Sequence, residues 1–210
     1  MTGPAGGRKV VCVGRNKTGT TSIEAALRSL GLRLGLQARG ETIRADWASR
    51  DFARVVALCR TADAFQDVPC SYPETCRAVD AAFPGSKFIL TVRDSAQRWF
   101  DSLVRFHTRI VGKRRLPTAD DLRAFDYRYP GYLWDGFVLQ HGDDERRLYD
   151  RDLYISHYLE HNRSVTEHFH DRPDDLLVLN VAHPDAMQRL CDVIGAPYAG
   201  QAMPHLNRSA

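Results

Sequence analysis

Residues 9–31 read KVVCVGRNKTGTTSIEAALRSLG, and the pattern of this stretch changes partway along it. The first five letters, Lys9–Val13, form a short apolar run rich in valine, which is typical of a buried strand in a parallel sheet. From Thr21 the apolar residues recur at helical spacing, and Thr21 forms a capping-box pair with Glu24. These apolar residues are Ile23, Ala26, Leu27 and Leu30. The stretch therefore predicts a strand, a loop and a helix in succession.

The loop between the predicted strand and helix, Gly14–Thr21, has the composition of a phosphate cradle. Small residues leave backbone N–H groups able to face an anion, and a helix start adds the positive end of its dipole. Gly14 and Gly19 have the spacing of the Walker A pattern GxxxxGK[ST], but Thr20 stands where that pattern has its lysine. The lysine lies inside the loop, as Lys17, where it can sit beside a group attached to the cradled phosphate. This argues against an ordinary ATPase or kinase, and the remaining alternative is a surface turn with a chance run of Gly and Thr.

Strand and helix patterns alternate along the rest of the chain. Apolar runs predict strands over Ala64–Val68, Phe88–Val92 and Leu176–Val181. Helices are predicted over 46–60, from Asp94 as the capping residue, over 150–170 and over 184–194. This alternation predicts an α/β fold, a mainly parallel sheet flanked by helices with a P-loop-like phosphate-binding strand-loop-helix. Ligands are then expected at the carboxyl ends of the strands.

The length of the chain, 210 residues, predicts a single domain over residues 1–210. Residues 112–150 are less regular, and their aromatic side chains are spread among Pro, Gly and Asp, so we expect an aromatic-rich insertion or lid there. Hydrophobic residues make up 43% and charged residues 26%, which excludes wholesale disorder. No apolar run approaches the roughly 18 residues that would span a bilayer.

The charge and the cysteines narrow the expected partners and surroundings. A formal net charge of +3 is too small for a protein that coats nucleic acid without selection. The first residues lack the apolar core of a secretory signal, so a cytoplasmic location is expected. Five cysteines without a CxxC pair predict reduced thiols: Cys12, Cys59, Cys70, Cys76 and Cys191. The sequence carries no signal for a nucleic-acid partner, a membrane span or a particular oligomeric state.

Two segments resemble the sulfotransferases that use 3′-phosphoadenylyl sulfate (PAPS). Lys17–Ser22, after a valine-rich strand, looks like the 5′-phosphosulfate loop of that family. Thr91-Val92-Arg93-Asp94, followed by Ser102, resembles the segment that binds the 3′-phosphate. Ser102 lies nine residues after Arg93, where the family usually has eight. Further matches are His161-Asn162 and the ending Pro204-His205-Leu206-Asn207-Arg208.

The resemblance implies a role for the residues of these segments. Lys17 would neutralise the charge that develops on the bridging oxygen as the sulfuryl group leaves its donor. Arg93 and Ser102 would hold the 3′-phosphate, which distinguishes PAPS from ATP. The donor-binding residues of the loop would be Arg15, Asn16, Lys17, Thr18, Gly19, Thr20, Thr21 and Ser22. Adenosine 3′,5′-bisphosphate (PAP) would be the product, and no metal is required.

The acceptor, expected to be a small molecule with a hydroxyl group, needs a general base. Cytosolic sulfotransferases carry a His just before a Leu-Pro at the end of the second strand, and this chain has Asp67-Val68-Pro69 at a comparable place. Asp67 is therefore the candidate, and a carboxylate is chemically acceptable as a base if partial burial raises its pKa. The alternative is that Asp67 only caps a turn before Pro69. His107 is the reserve candidate, and a solvated helical histidine is the other interpretation of that residue.

Three other functions are open at this point. The segment His157-Tyr158-Leu159-Glu160-His161 matches HxxEH, a zinc-peptidase motif, although no third-ligand motif follows it. A small-molecule kinase with a divergent phosphate loop would need ATP and Mg²⁺. A non-catalytic nucleotide-binding module would keep the loop without turning over a substrate.

Overall fold

A parallel sheet forms the centre of the fold. The computed structural model describes residues 7–204 and 206, and within them the strands are β1 (Val10–Cys12), β2 (Ala64–Phe65), β3 (Lys87–Thr91) and β4 (Leu176–Leu179). Their order is β2-β1-β3-β4, and each neighbouring pair is parallel. In this register Val11 lies between Phe65 and Phe88. The predicted α/β fold with a parallel sheet flanked by helices is confirmed.

The helices are α1 (Thr20–Ser29), α2 (Gln37–Thr42), α3 (Arg44–Ala48), α4 (Ala53–Cys59), α5 (Thr75–Ala82), α6 (Ala96–Ile110), α7 (Ala119–Ala124), α8 (Tyr132–His141), α9 (Arg151–His168) and α10 (Ala186–Ile194). Alternate strand residues face two apolar cores, because successive side chains of a strand point to opposite faces. Val11 and Leu90 belong to a cluster that includes residues of α4 and α5. Cys12 and Ile89 belong to a second cluster with residues of α1 and α10. The strands are thus covered on both faces, which explains their continuous apolar runs.

Element boundaries differ from the predicted ones in several places. The strand expected over 64–68 ends at Phe65, and the one expected over 176–181 ends at Leu179. The single helix expected over 46–60 is wrong, because α3 and α4 are separate there. Arg50, between them, has a φ of 62°, and a right-handed helix cannot continue through that conformation.

Two helix starts also differ from prediction. The expected capping box of Thr21 and Glu24 is wrong, because α1 already begins at Thr20, with Gly19 at its N-cap and no side-chain cap. Asp94 does not cap α6. Ser95 does so by accepting a hydrogen bond from the Arg98 N–H at 3.1 Å, while Asp94 accepts one from Asn180 at 2.6 Å.

The chain divides into two compact units, which are described separately. The first contains the described residues up to Asp94 together with those from His161 onward, and it holds the whole sheet. The second is Ser95–Glu160, whose core is mainly aromatic and includes Trp99, Phe137 and Tyr154. Residues 112–150 fall in this second unit, and their role as an insertion or lid stays a prediction, as does a single domain over 1–210. Among the described residues, no helix is long and apolar enough to cross a membrane.

Candidate active site

The loop that follows β1 passes against the carboxyl end of β3. A Cβ atom added to Gly14 would lie 2.0 Å from Thr91 Oγ1 and 2.6 Å from the Thr91 backbone nitrogen. Real Cβ atoms do not approach other atoms so closely, so this position requires glycine. The β1-loop-α1 unit predicted from the sequence is therefore present, and its entry is fixed by contact with the neighbouring strand.

Gly19 turns the loop into α1. Its φ of 108° favours glycine, and an added Cβ would lie 2.5 Å from the Val181 side chain. In the part of the chain that the structure describes, the backbone N–H groups of Gly19, Thr20 and Thr21 have no acceptor, whereas those of Thr18 and Ser22 donate to the carbonyls of Arg15 and Gly19. The first N–H groups of a helix form a natural anion site. The available backbone donors are thus those of residues 19–21, whereas the resemblance assigned donor binding to residues 15–22 as a whole.

The side chains of the loop differ in exposure. Thr18, Thr20 and Ser22 are buried, while Thr21 is exposed and Asn16 is half-buried. The Ser22 hydroxyl accepts a hydrogen bond from the Leu206 backbone at 3.3 Å. The family-like ending therefore reaches the start of α1 at Leu206. Of its other predicted members, Pro204 is described, and His205, Asn207 and Arg208 lie outside the described residues.

Two cationic side chains of the loop are held differently. Arg15 is buried, donates to the Ser71 carbonyl at 3.2 Å and lies over the Tyr72 ring at 5.8 Å. Lys17 is half-buried and has a φ of 68°, an uncommon conformation for a residue with a side chain. Backbone strain of this kind is often kept at functional sites, where the surrounding structure enforces it.

Arg93 lies directly against the loop. Its Nε donates a hydrogen bond of 2.7 Å to the backbone carbonyl of Lys17. The structure therefore brings together the two residues to which the sequence assigned the 3′-phosphate and the leaving oxygen.

Asp67 follows β2, and its carboxyl group interacts electrostatically with the Arg15 and Lys17 side chains of the loop. Burial raises the pKa of its carboxyl group to about 6, and the Glu41 carboxylate adds to the rise. The Val68 N–H, whose effect is second only to that of burial, lowers this pKa, as do the Arg15 and Lys17 side chains. Asp67 also accepts the Val68 N–H at 2.9 Å, so it has the local turn contact that the alternative interpretation expected.

Two further residues, His161 and Thr91, form hydrogen bonds with the segment that follows β1. His161 is buried, and its Nε2 donates a hydrogen bond to the Val13 carbonyl at 2.8 Å. Burial lowers the pKa of His161 to about 4, with Arg15 adding to the effect, so the ring is neutral near pH 7. Thr91 Oγ1 lies 2.5 Å from Thr18 Oγ1 and 3.8 Å from Cys12 Sγ. Sequence reasoning assigned no task to Thr91, although a polar residue inside the apolar run FILTV was the available signal.

The zinc-peptidase interpretation fits this placement poorly. His161 Nε2 is engaged with a backbone carbonyl, and His157 Nδ1 lies 2.8 Å from His141 Nδ1. Within residues 7–204 and 206, no group of three or more His, Cys, Asp or Glu side chains is arranged to hold a metal ion.

Ser102 and His107 lie in the second unit, on α6. Ser102 is buried, and its hydroxyl oxygen has no hydrogen-bond partner in the described part of the chain. His107 is half-buried, and its Nδ1 lies 2.9 Å from the Tyr149 hydroxyl. The first unit thus groups Arg15, Lys17, Asp67 and Arg93, and the roles of Ser102 and His107 stay predictions.

Comparisons with known proteins cover nearly all of this chain. The family described as "Sulfotransferase domain" matches residues 9–210. A protein of Aspergillus versicolor, "Ava biosynthesis cluster protein M", is 23% identical over 223 residues, an alignment that spans 94% of this chain and 80% of that protein. The family match includes the loop after β1, Asp67 and Arg93.

Proposed function

Because the chain belongs to the sulfotransferase family, we propose that it transfers a sulfuryl group from PAPS to a hydroxyl group of a small-molecule acceptor. The observation that carries this proposal is the arrangement in the first unit. The first unit contains an anion-binding loop with a lysine inside it, an arginine that donates to the carbonyl of that lysine, and a carboxyl group of raised pKa.

The N–H groups of residues 19–21 would hold the 5′-phosphate of the donor. They lie at the start of a ten-residue helix, whose dipole favours negative charge, and the Thr20 and Thr21 hydroxyls are the nearest side-chain donors in sequence. Arg93 would bind the 3′-phosphate, the group that PAP and PAPS carry and ATP lacks. Ser102 is proposed as a second ligand of that phosphate.

The donor supplies a sulfuryl group that is already activated, so the protein's own task is mainly positioning and charge stabilisation. The acceptor oxygen forms a bond to sulfur as the bond between sulfur and the bridging oxygen of the 5′-phosphate breaks. The proton of the acceptor hydroxyl passes to Asp67, and Lys17 stabilises the negative charge that collects on the bridging oxygen.

Asp67 suits the role of base better than an ordinary aspartate. A carboxylate with a pKa of about 6 is mostly ionised at neutral pH and is a stronger base than one at its usual value of 3.8. The reserve candidate, His107, already contacts the Tyr149 hydroxyl.

Thermal unfolding in the presence of PAP, of ATP with Mg²⁺ and of no ligand tests the proposal. A ligand at about 100 times its Kd adds about 2.7 kcal/mol to the free energy of unfolding. For a chain of this length the melting temperature then rises by roughly 5–11 °C. We expect this rise with PAP and none with ATP and Mg²⁺.

Arg93→Ala is expected to abolish the stabilisation by PAP. The matched control is Arg189→Ala, which removes another arginine that donates to a backbone carbonyl, that of Val178 at 2.9 Å. The control is expected to respond to PAP like the unaltered protein. Stabilisation by ATP with Mg²⁺ alone would refute the proposal in favour of a kinase. PAP binding without sulfuryl transfer to any hydroxyl acceptor would favour a binding module.

A further inference from the structure

Alternate carbonyl groups from residue 13, just before the phosphate loop, to residue 17 inside it accept hydrogen bonds from side chains. The Val13 carbonyl accepts from His161 Nε2 at 2.8 Å, the Arg15 carbonyl from Thr18 Oγ1 at 2.5 Å, and the Lys17 carbonyl from Arg93 Nε at 2.7 Å. Each of these oxygens is therefore held by a donor of the protein itself. An anion cradle works only if its N–H groups, rather than its carbonyls, face the ligand.

The hydrogen bond to the Arg15 carbonyl belongs to a chain of hydrogen bonds that reaches the sheet. The donor and the acceptor of each bond follow from the chemistry of the groups. A carbonyl oxygen only accepts, so the Thr18 hydroxyl donates its one hydrogen to Arg15. The Thr91 hydroxyl must then donate to Thr18 Oγ1, which leaves Thr91 Oγ1 to accept from the Cys12 thiol. Burial raises the pKa of Cys12 to about 12, so this thiol keeps its hydrogen. The chain runs from Cys12 through Thr91 and Thr18 to the Arg15 carbonyl.

Thr91 occupies the centre of this chain and is held there. Its hydroxyl and its backbone lie where any side chain at Gly14 would have to go. It is fully buried at the end of β3, so the sheet fixes its position. The loop thus contacts a residue whose position is fixed by the sheet. The Thr91 hydroxyl group is connected to the Arg15 carbonyl through the Thr18 hydroxyl group.

We propose that Thr91 is a positioning residue for the sulfuryl donor. Acting through Thr18, it orders the loop so that the N–H groups of residues 19–21 keep the arrangement that binds the 5′-phosphate before the donor arrives. His161 and Arg93 complete the same task at the Val13 and Lys17 carbonyls. The inference rests on the proposed function for the identity of the ligand, and on the hydrogen bonds for the ordering of the loop.

The test compares Thr91→Val with Thr91→Ser. Valine keeps the shape of threonine but loses the hydroxyl group, whereas serine keeps the hydroxyl group. We expect Thr91→Val to weaken PAP binding about tenfold, the effect of one lost buried hydrogen bond. Thr91→Ser is expected to stay within about threefold of the unaltered protein. Hydrogen exchange of the amides of residues 14–22, measured without ligand, is expected to accelerate in Thr91→Val only.

Ser86→Ala is the control for a general loss of stability. Ser86 precedes β3 at its opposite end, is buried, donates to the Phe83 carbonyl at 2.6 Å and accepts from the Lys9 N–H at 2.9 Å. Its loss should lower the melting temperature while leaving PAP affinity and the exchange of residues 14–22 unchanged. If Thr91→Val does not fold, Thr91→Ala takes its place with the same expectation, because it differs from Thr91→Ser only by the hydroxyl group.

The inference is overturned if the valine and serine variants exchange residues 14–22 equally fast, or if Ser86→Ala loses PAP affinity to the same extent as Thr91→Val. Failure of the unaltered protein to bind PAP would instead refute the proposed function. The exchange comparison needs no ligand, and it would still decide whether Thr91 orders the loop.

Discussion

The pKa of Asp67 is set by opposing effects of burial and of a few neighbouring groups. Burial and the Glu41 carboxylate make its negative charge costly, whereas Arg15, Lys17 and the Val68 N–H stabilise that charge. The balance leaves the pKa near 6. This value lies between the pKa of an ordinary surface aspartate and the pKa of a carboxyl group that stays protonated at neutral pH. A group poised in this range changes its protonation state within the conditions of an ordinary assay.

A pH–rate profile is the direct check of this assignment. If Asp67 accepts the acceptor proton, kcat/KM rises with pH through a midpoint of about 6 and levels off above it. Asp67→Asn should lower the plateau by about 10²–10⁴-fold. A profile whose midpoint is unchanged in Asp67→Asn would assign the base elsewhere, with His107 the next candidate.

The protonation state of Asp67 should also affect the stability of the fold, which is expected to be greater when the carboxyl group is protonated. The pKa of Asp67 is higher in the folded protein than its usual 3.8, so the folded state holds the proton more tightly. Its contribution to the free energy of unfolding therefore falls as pH rises from about 4 to about 6. Asp67→Asn should remove this decline and stabilise the protein above pH 6 by about 1–3 kcal/mol. Denaturant titrations at several pH values measure the difference, and a variant less stable than the unaltered protein above pH 6 would contradict it.

For Lys17, the effect of the side-chain charge on turnover can be separated from the effect of the strained backbone conformation on stability. Lys17→Ala should reduce kcat by about 10²–10³-fold, the effect of losing one preorganised electrostatic group. Arg50→Ala is the control, because Arg50 also has a left-handed φ, of 62° against 68° for Lys17, and lies between α3 and α4. The two variants should change stability alike, and only the first should change kcat. Equal kcat losses would assign the effect of Lys17→Ala to the backbone.

At the scale of elements, the β1-loop-α1 unit depends on two glycines with different constraints. Gly14 is constrained by the crowding of Thr91, and Gly19 by both its positive φ and Val181. Gly31, just after α1, has a φ of 83° but nothing within 4 Å of an added Cβ. These positions separate the effect of strain from the effect of collision.

Gly14→Ala should therefore damage the site. The new Cβ collides with the backbone of β3 as well as with the Thr91 hydroxyl, so the loop must move away. We expect a loss of about 1–3 kcal/mol in stability and loss of the thermal shift with PAP. Gly31→Ala should cost about 1–2 kcal/mol from its backbone conformation alone and keep the PAP response. A Gly14→Ala variant that binds PAP normally would show that the loop tolerates displacement.

The sequence predicted this unit because its signals are local. A valine-rich apolar run, small residues in a loop and helical periodicity all lie within residues 9–31, and Asp67 could be selected from its place before Pro69. The start of α1 was misplaced because Gly19, and not Thr21, lies at its N-cap, and the side chain that would collide with any larger residue there is Val181, which is distant in sequence. The tasks of Thr91 and His161 were missed for the same reason, since their partners in the loop are 73 and 148 residues away.

At the scale of the whole molecule, the five cysteines are buried and none forms a disulfide. Burial raises the pKa of Cys12 to about 12 and of Cys76 to about 11. Thiols that are both hidden and protonated react slowly, because the thiolate is the nucleophile. The reduced state of these thiols, expected from the sequence, stays a prediction.

A thiol-specific reagent should consequently leave the native protein almost unlabelled and modify all five cysteines after unfolding. Mass spectrometry before and after denaturation counts the modified thiols. Rapid modification of one cysteine in the native state would show that the region around it opens readily. Masses that indicate fewer than five reactive thiols after denaturation without reductant would point to a disulfide.

The contact between Gly14 and Thr91 also limits how this protein can evolve. A larger residue at position 14 collides with the backbone of position 91 as well as with its side chain, so no substitution at position 91 makes room for it, and loss of the threonine removes the hydroxyl group that donates to Thr18. Neither position offers a neutral single step toward an alternative pair. Among descendants that keep the activity, we therefore expect the glycine and the threonine to be inherited together, although they are far apart in the sequence.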